Sequence, residues 1–337
     1  MKRAFLIAPV GLALGIALAR AEPATKDGPP PVRSSVKLGW PADAKLLIIH
    51  ADDAGMCQAA NKAIQQAFAD GTINSCSIMM PCPWAYDFCM WAKAHSEYDV
   101  GLHITLNSEW KTYKWRSVSA PKDVPSLCDR NGFLLPDPLR TALRAKPDEV
   151  EREIRAQVQR AIAWGIKPTH LDPHLGAALA KPAFAEAFVK VGREFGVTPL
   201  LIEPGPDFRA IARRFGAPIT PKMIEMIRQS ASAKLDYYAY PHLLGQRTYD
   251  ARKAAYVREL RRLKPGVSEI IVHPMMDTSE SRATSRFWQV RAWEWKVFAD
   301  PEVRQLIKDL KIERVTWKDL NDRCPMPKPA TTATSGK

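Results

Sequence analysis

The stretch Leu46-Leu47-Ile48-Ile49-His50-Ala51-Asp52-Asp53-Ala54-Gly55 decides the fold. Four large aliphatic residues in succession read as a strand buried on both faces, as in parallel sheets covered by helices. The run ends abruptly in two acids. Three other stretches repeat the pattern. Val100-Gly101-Leu102 runs into His103, Pro168-Thr169 into His170-Leu171-Asp172-Pro173-His174, and Ile270-Ile271-Val272 into His273. In α/β folds the C-terminal ends of parallel strands open on one face, where chemistry gathers. Carboxylates and imidazoles converging there make a divalent metal site with acid and base partners, which points to metal-assisted hydrolysis.

The rest of the chain alternates in the same way. Apolar spacing predicts helices over 57–70, 84–95, 147–164, 181–195, 284–299 and 301–310, with strands over 75–80, 99–106, 197–202 and 313–316. This alternation predicts one irregular (β/α) barrel, with a doubly wound sheet as the alternative. Residues 107–146 form a long irregular segment of the kind that is usually functional. Its Trp110, Tyr113 and Trp115 are a candidate sugar-stacking surface.

The first residues read as an export signal. Lys2 and Arg3 precede an apolar run from Ala4 to Ala19, and Ala19-Arg20-Ala21 is a small-residue cleavage site. The expected organisation is a signal peptide over 1–21, a Pro-, Lys- and Ser-rich linker over 22–42, one catalytic domain over 43–322 and a disordered tail over 323–337. The mature chain is then expected to be periplasmic or secreted, with no stable membrane insertion after cleavage. The formal charge of +13 falls to about +10 once the signal's basic residues leave. These charges are dispersed and not interleaved with aromatics, which disfavours nucleic acid as a partner. Six cysteines in an exported chain permit disulfides but specify no pairing, and the absence of C-x-x-C argues against structural zinc. A homodimer stays open.

The individual sites have chemical logic. Two adjacent acids after a buried strand repel each other unless a cation sits nearby, and one can bind metal while the other stays free as a base. His103 gains weight only from its companions. In His170-Leu171-Asp172-Pro173-His174 the proline blocks a regular helix, so one histidine can ligate while the other, or Asp172, orients it. His273 at a strand end suits a general acid. His50 reads as packing or support for Asp52, and His242 as a loop residue or substrate contact without a catalytic role. There is no phosphate-binding glycine loop and no G-x-S-x-G nucleophile elbow.

With these residues in hand, the chain resembles the YdjC-like family of carbohydrate deacetylases. The resemblance rests on Ala51-Asp52-Asp53-Ala54-Gly55, Asn61, Gly71 to Ser77, Gly101-Leu102-His103, Pro168 to Asp172 with His174, and His273-Pro274. A terminal segment from Pro301 through Leu320 adds to it. It implies an irregular barrel related to polysaccharide deacetylases. It also implies one metal ion held by Asp53, His103 and His174, with Asp52 as base, His273 as acid, and His170 and Asp172 behind the ligands. Zinc or magnesium is the expected ion, and an N-acetylated carbohydrate the expected substrate. The chain departs from the family at Ala54, where an aromatic is usual. It departs again at Leu175-Gly176-Ala177-Ala178, where a histidine-rich run is usual, and at Thr198 to Ile202. The rival readings are a metal-dependent phosphoesterase or another barrel hydrolase, and a non-catalytic glycan-binding protein.

Overall fold

The computed structural model describes residues 32–205, 208–214, 219–241 and 246–326. The expected signal peptide, His242 and the end of the tail lie outside them. The described residues form eight strands, β1 (Lys45–Ala54), β2 (Ser75–Ile78), β3 (Val100–Ile104), β4 (His170–Pro173), β5 (Thr198–Pro199), β6 (Tyr237–Ala239), β7 (Gly266–Val272) and β8 (Ile312–Arg314). All are paired in parallel, in the order β5-β4-β3-β2-β1-β7-β6, and β8 pairs with the start of β1. Beyond the short edge strands, Ile202 and Leu235 form a single parallel bridge. There Leu235 N donates to Leu201 O at 2.9 Å and Glu203 N to Leu235 O at 2.7 Å. The sheet thus curls into an irregular barrel with a thin seam between β5 and β6. Around it the strands follow chain order from β1 to β7 and back, whereas a doubly wound sheet reverses at a switch point.

The helices are α1 (Ser34–Lys37), α2 (Gln58–Ala69), α3 (Ala85–Ala94), α4 (Pro138–Arg144), α5 (Pro147–Ala163), α6 (Pro182–Phe195) and α7 (Phe208–Arg214). They continue with α8 (Pro221–Gln229), α9 (Tyr249–Arg262), α10 (Ser279–Thr284), α11 (Trp288–Val297), α12 (Pro301–Asp309) and α13 (Trp317–Arg323). Helices α4, α5, α6, α8 and α12 start on proline, whose fixed φ and missing N–H suit a first turn. The predicted helix over 284–299 is realised as α11 alone, and Thr284 instead ends the separate helix α10. Helix α9 escaped the apolar pattern because the face it buries includes Arg252 and Glu259.

Alternation along β1 separates two cores. Leu47, Ile49 and Ala51 face the helical layer. Leu46 and Ile48 face the barrel interior and pack with Leu200, Leu235, Val267 and Trp317. The interior floor is completed by Leu38 and Trp40, so the expected linker over 22–42 is in fact ordered structure from α1 onward. The physical reason is burial: Trp40 is 9 % exposed, with the Arg323 guanidinium 3.7 Å from its ring centroid. All six cysteines are unpaired and five are buried, where they pack as small apolar residues. No described helix is long and apolar enough to cross a membrane.

Above this floor the interior turns polar, and backbone spacing there is tight. A Cβ on Gly101 would stand 2.4 Å from the His170 ring, closer than any relaxed contact. Gly101→Ala is therefore expected to lower stability by about 1–3 kcal/mol, as overpacking does. Urea unfolding measures it, and an unchanged midpoint would mean that the His170 ring can move aside.

Candidate active site

Strand alternation would send Asp52 and Asp53 to opposite faces of β1. A bulge prevents this. The register of β1 on β2 slips between Ala51 and Ala54, and Asp53 takes φ 68, a left-handed value that aspartate tolerates better than most residues. Both carboxylates consequently reach the barrel mouth. The turn that follows is tied down by Asn61, whose Oδ1 accepts from Gly55 N at 2.7 Å and whose Nδ2 donates to Asp87 at 2.9 Å.

Three ligand atoms gather beside the bulge. Asp53 Oδ1 lies 3.6 Å from His103 Nε2 and 3.5 Å from His174 Nδ1. One atom from each residue falls within 4.8 Å of the others, and all three side chains are buried. Asp53 Oδ1 has no hydrogen-bond partner among the described residues. Each imidazole is held from behind by a carboxylate. His103 Nδ1 donates to Asp172 Oδ1 at 2.9 Å, and His174 Nε2 donates to Glu109 Oε2 at 3.1 Å. That leaves the opposite nitrogens as lone-pair donors aimed at the Asp53 oxygen, the usual support of a metal-binding histidine. Ligand bonds of about 2.0–2.1 Å in a tetrahedron imply ligand–ligand edges of about 3.4 Å, close to the spacing seen. The residues present therefore fit a divalent cation.

Two other groupings share some of these residues, His50 with His170 and Asp172, and Asp52 with His103 and Asp172. They fit less well, because their donor atoms are already engaged. Asp172 Oδ1 is taken by His103, Asp172 Oδ2 accepts from Ser77 Oγ at 2.9 Å, and both His50 nitrogens hydrogen-bond serine hydroxyls at 2.9 and 3.0 Å.

Arg291 on α11 is a residue that sequence reasoning missed. Its Nη1 donates to Asp53 Oδ2 at 2.7 Å, and both side chains are buried. Burial opposes charge on Asp53, but Arg291 and His174 outweigh it and hold the carboxyl well below the usual range. For its neighbour Asp52 the balance is reversed. Burial pushes that carboxyl up, with the Asp172 charge adding to the rise, although His103, His273 and His50 pull the other way. Two adjacent acids are thereby separated into one committed carboxylate and one poised to take a proton.

His273 completes the mouth. Its Nε2 is 3.6 Å from Asp52 Oδ2, and its side chain is 12 % exposed, more than Asp52 or the three candidate ligand residues. Glu294 stands behind it, 3.5 Å from Nδ1, and also accepts from the His273 backbone N–H and from buried Arg252. Burial disfavours the Glu294 charge, but Arg252 and His273 hold its carboxyl low, at about 2.

The remaining expected residues divide. Asp172 lies directly behind His103. His170 sits one layer deeper, bonded through Nδ1 to Thr169 Oγ1 at 2.9 Å and stacked on Trp317 at 5.1 Å, so it touches His50 and not the three ligand atoms. Trp115 is 2 % exposed, donates to Asn107 O and turns its ring toward His174, so it braces the site and has no face free for a sugar. Trp110 and Tyr113 are half-buried. Trp110 lies under the Arg291 guanidinium, and the Tyr113 hydroxyl donates to Met56 O. Glu109, Arg291 and Glu294 gave no apolar-run signal, since Glu109 lies in the loop beyond β3 and the other two lie on α11, none of them directly ending an apolar strand.

The Arg291–Asp53 pair has a testable pH signature. A carboxyl held low in the folded chain adds stability above its unfolded value of about 3.9 and loses it as the pH falls through the lower folded value. Arg291→Met strands that buried charge. In chelator-treated protein it is expected to lower stability at pH 7 by about 3–5 kcal/mol. The loss should shrink near pH 4, where the variant's Asp53 is protonated. Urea unfolding at both pH values checks this, and equal losses would mean that Arg291 acts by packing alone.

Comparison with known proteins gives this geometry a family. Residues 46–309 match the family model described as YdjC-like protein. A carbohydrate deacetylase of Thermus thermophilus is 28 % identical over 282 residues, covering 82 % of this chain and 94 % of that protein. One from Brevibacillus brevis is 28 % identical over 280 residues, covering 81 % and 99 %. A crystal structure from Enterococcus faecalis, provisionally described as a cellobiose-phosphate cleavage protein, superposes with a TM-score of 0.67 at 19 % identity, covering 82 % of this chain and 99 % of that one. At that identity the likeness speaks for the fold alone.

Proposed function

This chain belongs to the YdjC-like family, and from that membership and the geometry above we propose that it is a metal-dependent carbohydrate deacetylase. It hydrolyses the acetamide of an N-acetylated sugar to acetate and the free amine. The observation that carries the reading is the orphaned, buried Asp53 Oδ1 facing the free nitrogens of His103 and His174, with Asp52 and His273 alongside. The relatives' names support carbohydrate as the substrate class.

Asp53, His103 and His174 would hold one divalent cation, zinc or magnesium foremost, which when bound supplies a Lewis acid for the acetyl carbonyl and for water. Asp52 takes the proton of the attacking water. Its raised carboxyl makes it a stronger base than an ordinary aspartate, and its Oδ1 has no hydrogen-bond partner among the described residues. His273 gives a proton to the sugar nitrogen as the C–N bond breaks, since an unprotonated amine leaves poorly. Glu294 and Arg252 fix the His273 backbone and ring behind it. Arg291 keeps Asp53 ionised, and Trp110 and Trp115 shield the pair and His174 from water. We further place the mature protein outside the cytoplasm, on the strength of Lys2-Arg3, the apolar run and Ala19-Arg20-Ala21. An N-terminus beginning at Glu22 in a periplasmic or culture fraction is the expected result.

Acetate release from N-acetylated chito-oligosaccharides, assayed beside phosphate release from sugar phosphates, tests the reaction. Asp52→Asn is expected to keep its metal and lose about a hundredfold or more in turnover. Normal turnover would remove Asp52 as the base. His174→Ala is expected to lose metal by elemental analysis as well as activity, and retention of a stoichiometric ion would place the ligand set elsewhere.

A further inference from the structure

The barrel wall is weakest between β5 and β6, two and three residues long and joined through one bridge. Helices α7 and α8 line this seam, and between them and the strands lies a cavity of about 170 Å³. Its walls are apolar, with Ile202 from the seam, Ile211 from α7 and Met226 from α8. Apolar cavities of roughly 150 Å³ stay dry and take up a group the size of benzene, and methionine adapts such walls to varied shapes.

One side of the cavity is formed by the stretch of chain that carries His174. Pro173 and Leu175, the chain neighbours of His174, both line it. So does Tyr238, whose phenol is pushed up by burial, with the charges of Asp52, Glu269 and Asp172 adding to the rise. Leu175 is held at φ 49, a left-handed conformation unfavourable for leucine, and is 53 % exposed. A strained turn that presents an apolar side chain to solvent, one residue from a candidate ligand, marks a surface shaped for a ligand more than for the core.

We propose that this cavity is a subsite for an apolar substituent carried by the carbohydrate substrate, about the size of one aromatic ring or a short acyl chain. The proposal takes the sugar from the deacetylase reading and adds what is attached to it. Such a group enters past Leu175 and Tyr238 while the scissile amide lies against Asp52 and His273. The substituent is either the aglycone or an N-acyl chain longer than acetyl, and one experiment separates them.

The full mature chain, metal-loaded, is tested with four probes. The methyl and phenyl β-glycosides of N-acetylglucosamine vary the aglycone. The methyl glycosides of N-acetyl- and N-hexanoylglucosamine vary the acyl chain. Wild-type kcat/KM is measured alongside Kd by calorimetry on Asp52→Asn. The expected result is a gain of at least about tenfold for the phenyl or the hexanoyl member of its pair. Whichever pair gains identifies the source. The gain should collapse in Met226→Trp and, independently, in Ala212→Phe, each of which fills the cavity. Circular dichroism confirms that each variant is folded, and either one suffices if the other is not. A gain below about tenfold in both pairs, or one that survives the folded variants, overturns the subsite. A retained, cavity-dependent gain in Kd with no release of acetate or hexanoate from any probe supports the subsite while removing the deacetylase reading. Turnover without a gain does the reverse.

Discussion

The arrangement depends on how the Asp53 carboxylate is divided. One oxygen is bound by Arg291 and the other faces two imidazoles. A buried carboxylate without a cation would take up a proton or force water into the core. Arg291 makes the ionised form the stable one before any metal arrives. Because Arg291 lies on α11, 238 residues along the chain, the site cannot assemble until α11, the second helix after β7, has docked on the barrel. The bulge at Asp53 has the same dependence: its left-handed backbone is held from one side by Arg291 and from the other by the Asn61 turn.

Around that pair the barrel interior is graded. The N-terminal end is sealed by Leu46, Ile48, Trp40 and Trp317, which excludes water from below. The middle layer is polar but largely satisfied: His50 bonds two serines, Asp172 holds His103, and Trp317 Nε1 donates to Glu269 at 2.7 Å. Burial, against the pull of His50, pushes the Glu269 carboxyl up to about 8, and the charges of Glu269, Asp172 and Asp52 outweigh burial to raise His50 to about 9. Among the described residues, buried polar atoms without a hydrogen-bond partner include Asp52 Oδ1 and Asp53 Oδ1 at the mouth, and His170 Nε2 and Glu269 Oε1 in the layer beneath. The interior thus passes from an apolar floor to a polar layer and then to two adjacent carboxylates at the mouth.

The apolar runs made most of this legible beforehand. A strand buried on both faces has to end where helices stop covering it, and polar residues at such ends face the same opening. That reasoning brought Asp52, Asp53, His103, Asp172, His174 and His273 together, and they are neighbours in the structure. It could not separate His170 from His174, because depth within a barrel depends on where the strand ends. It also misread Trp115. An aromatic in a long loop looks available for stacking until the loop folds back and buries it against His174. The segment from 203 to 267 stayed unread for another reason. Helix α9 buries arginine and glutamate, which pair with residues from other elements, so no apolar stripe marks its inner face.

By itself the sequence determined the parallel barrel, the strand ends that bear the chemistry and the residue types gathered there, because strand burial and the shared direction of parallel strands are local and topological facts. Only the tertiary structure decided which oxygen of Asp53 is free, which carboxylate stands behind which imidazole, and that Arg291, Glu109 and Glu294 belong to the site at all. Those are matters of angstroms between segments distant in the chain. Hydropathy records whether a side chain is buried, but the partner that neutralises a buried charge is chosen by packing.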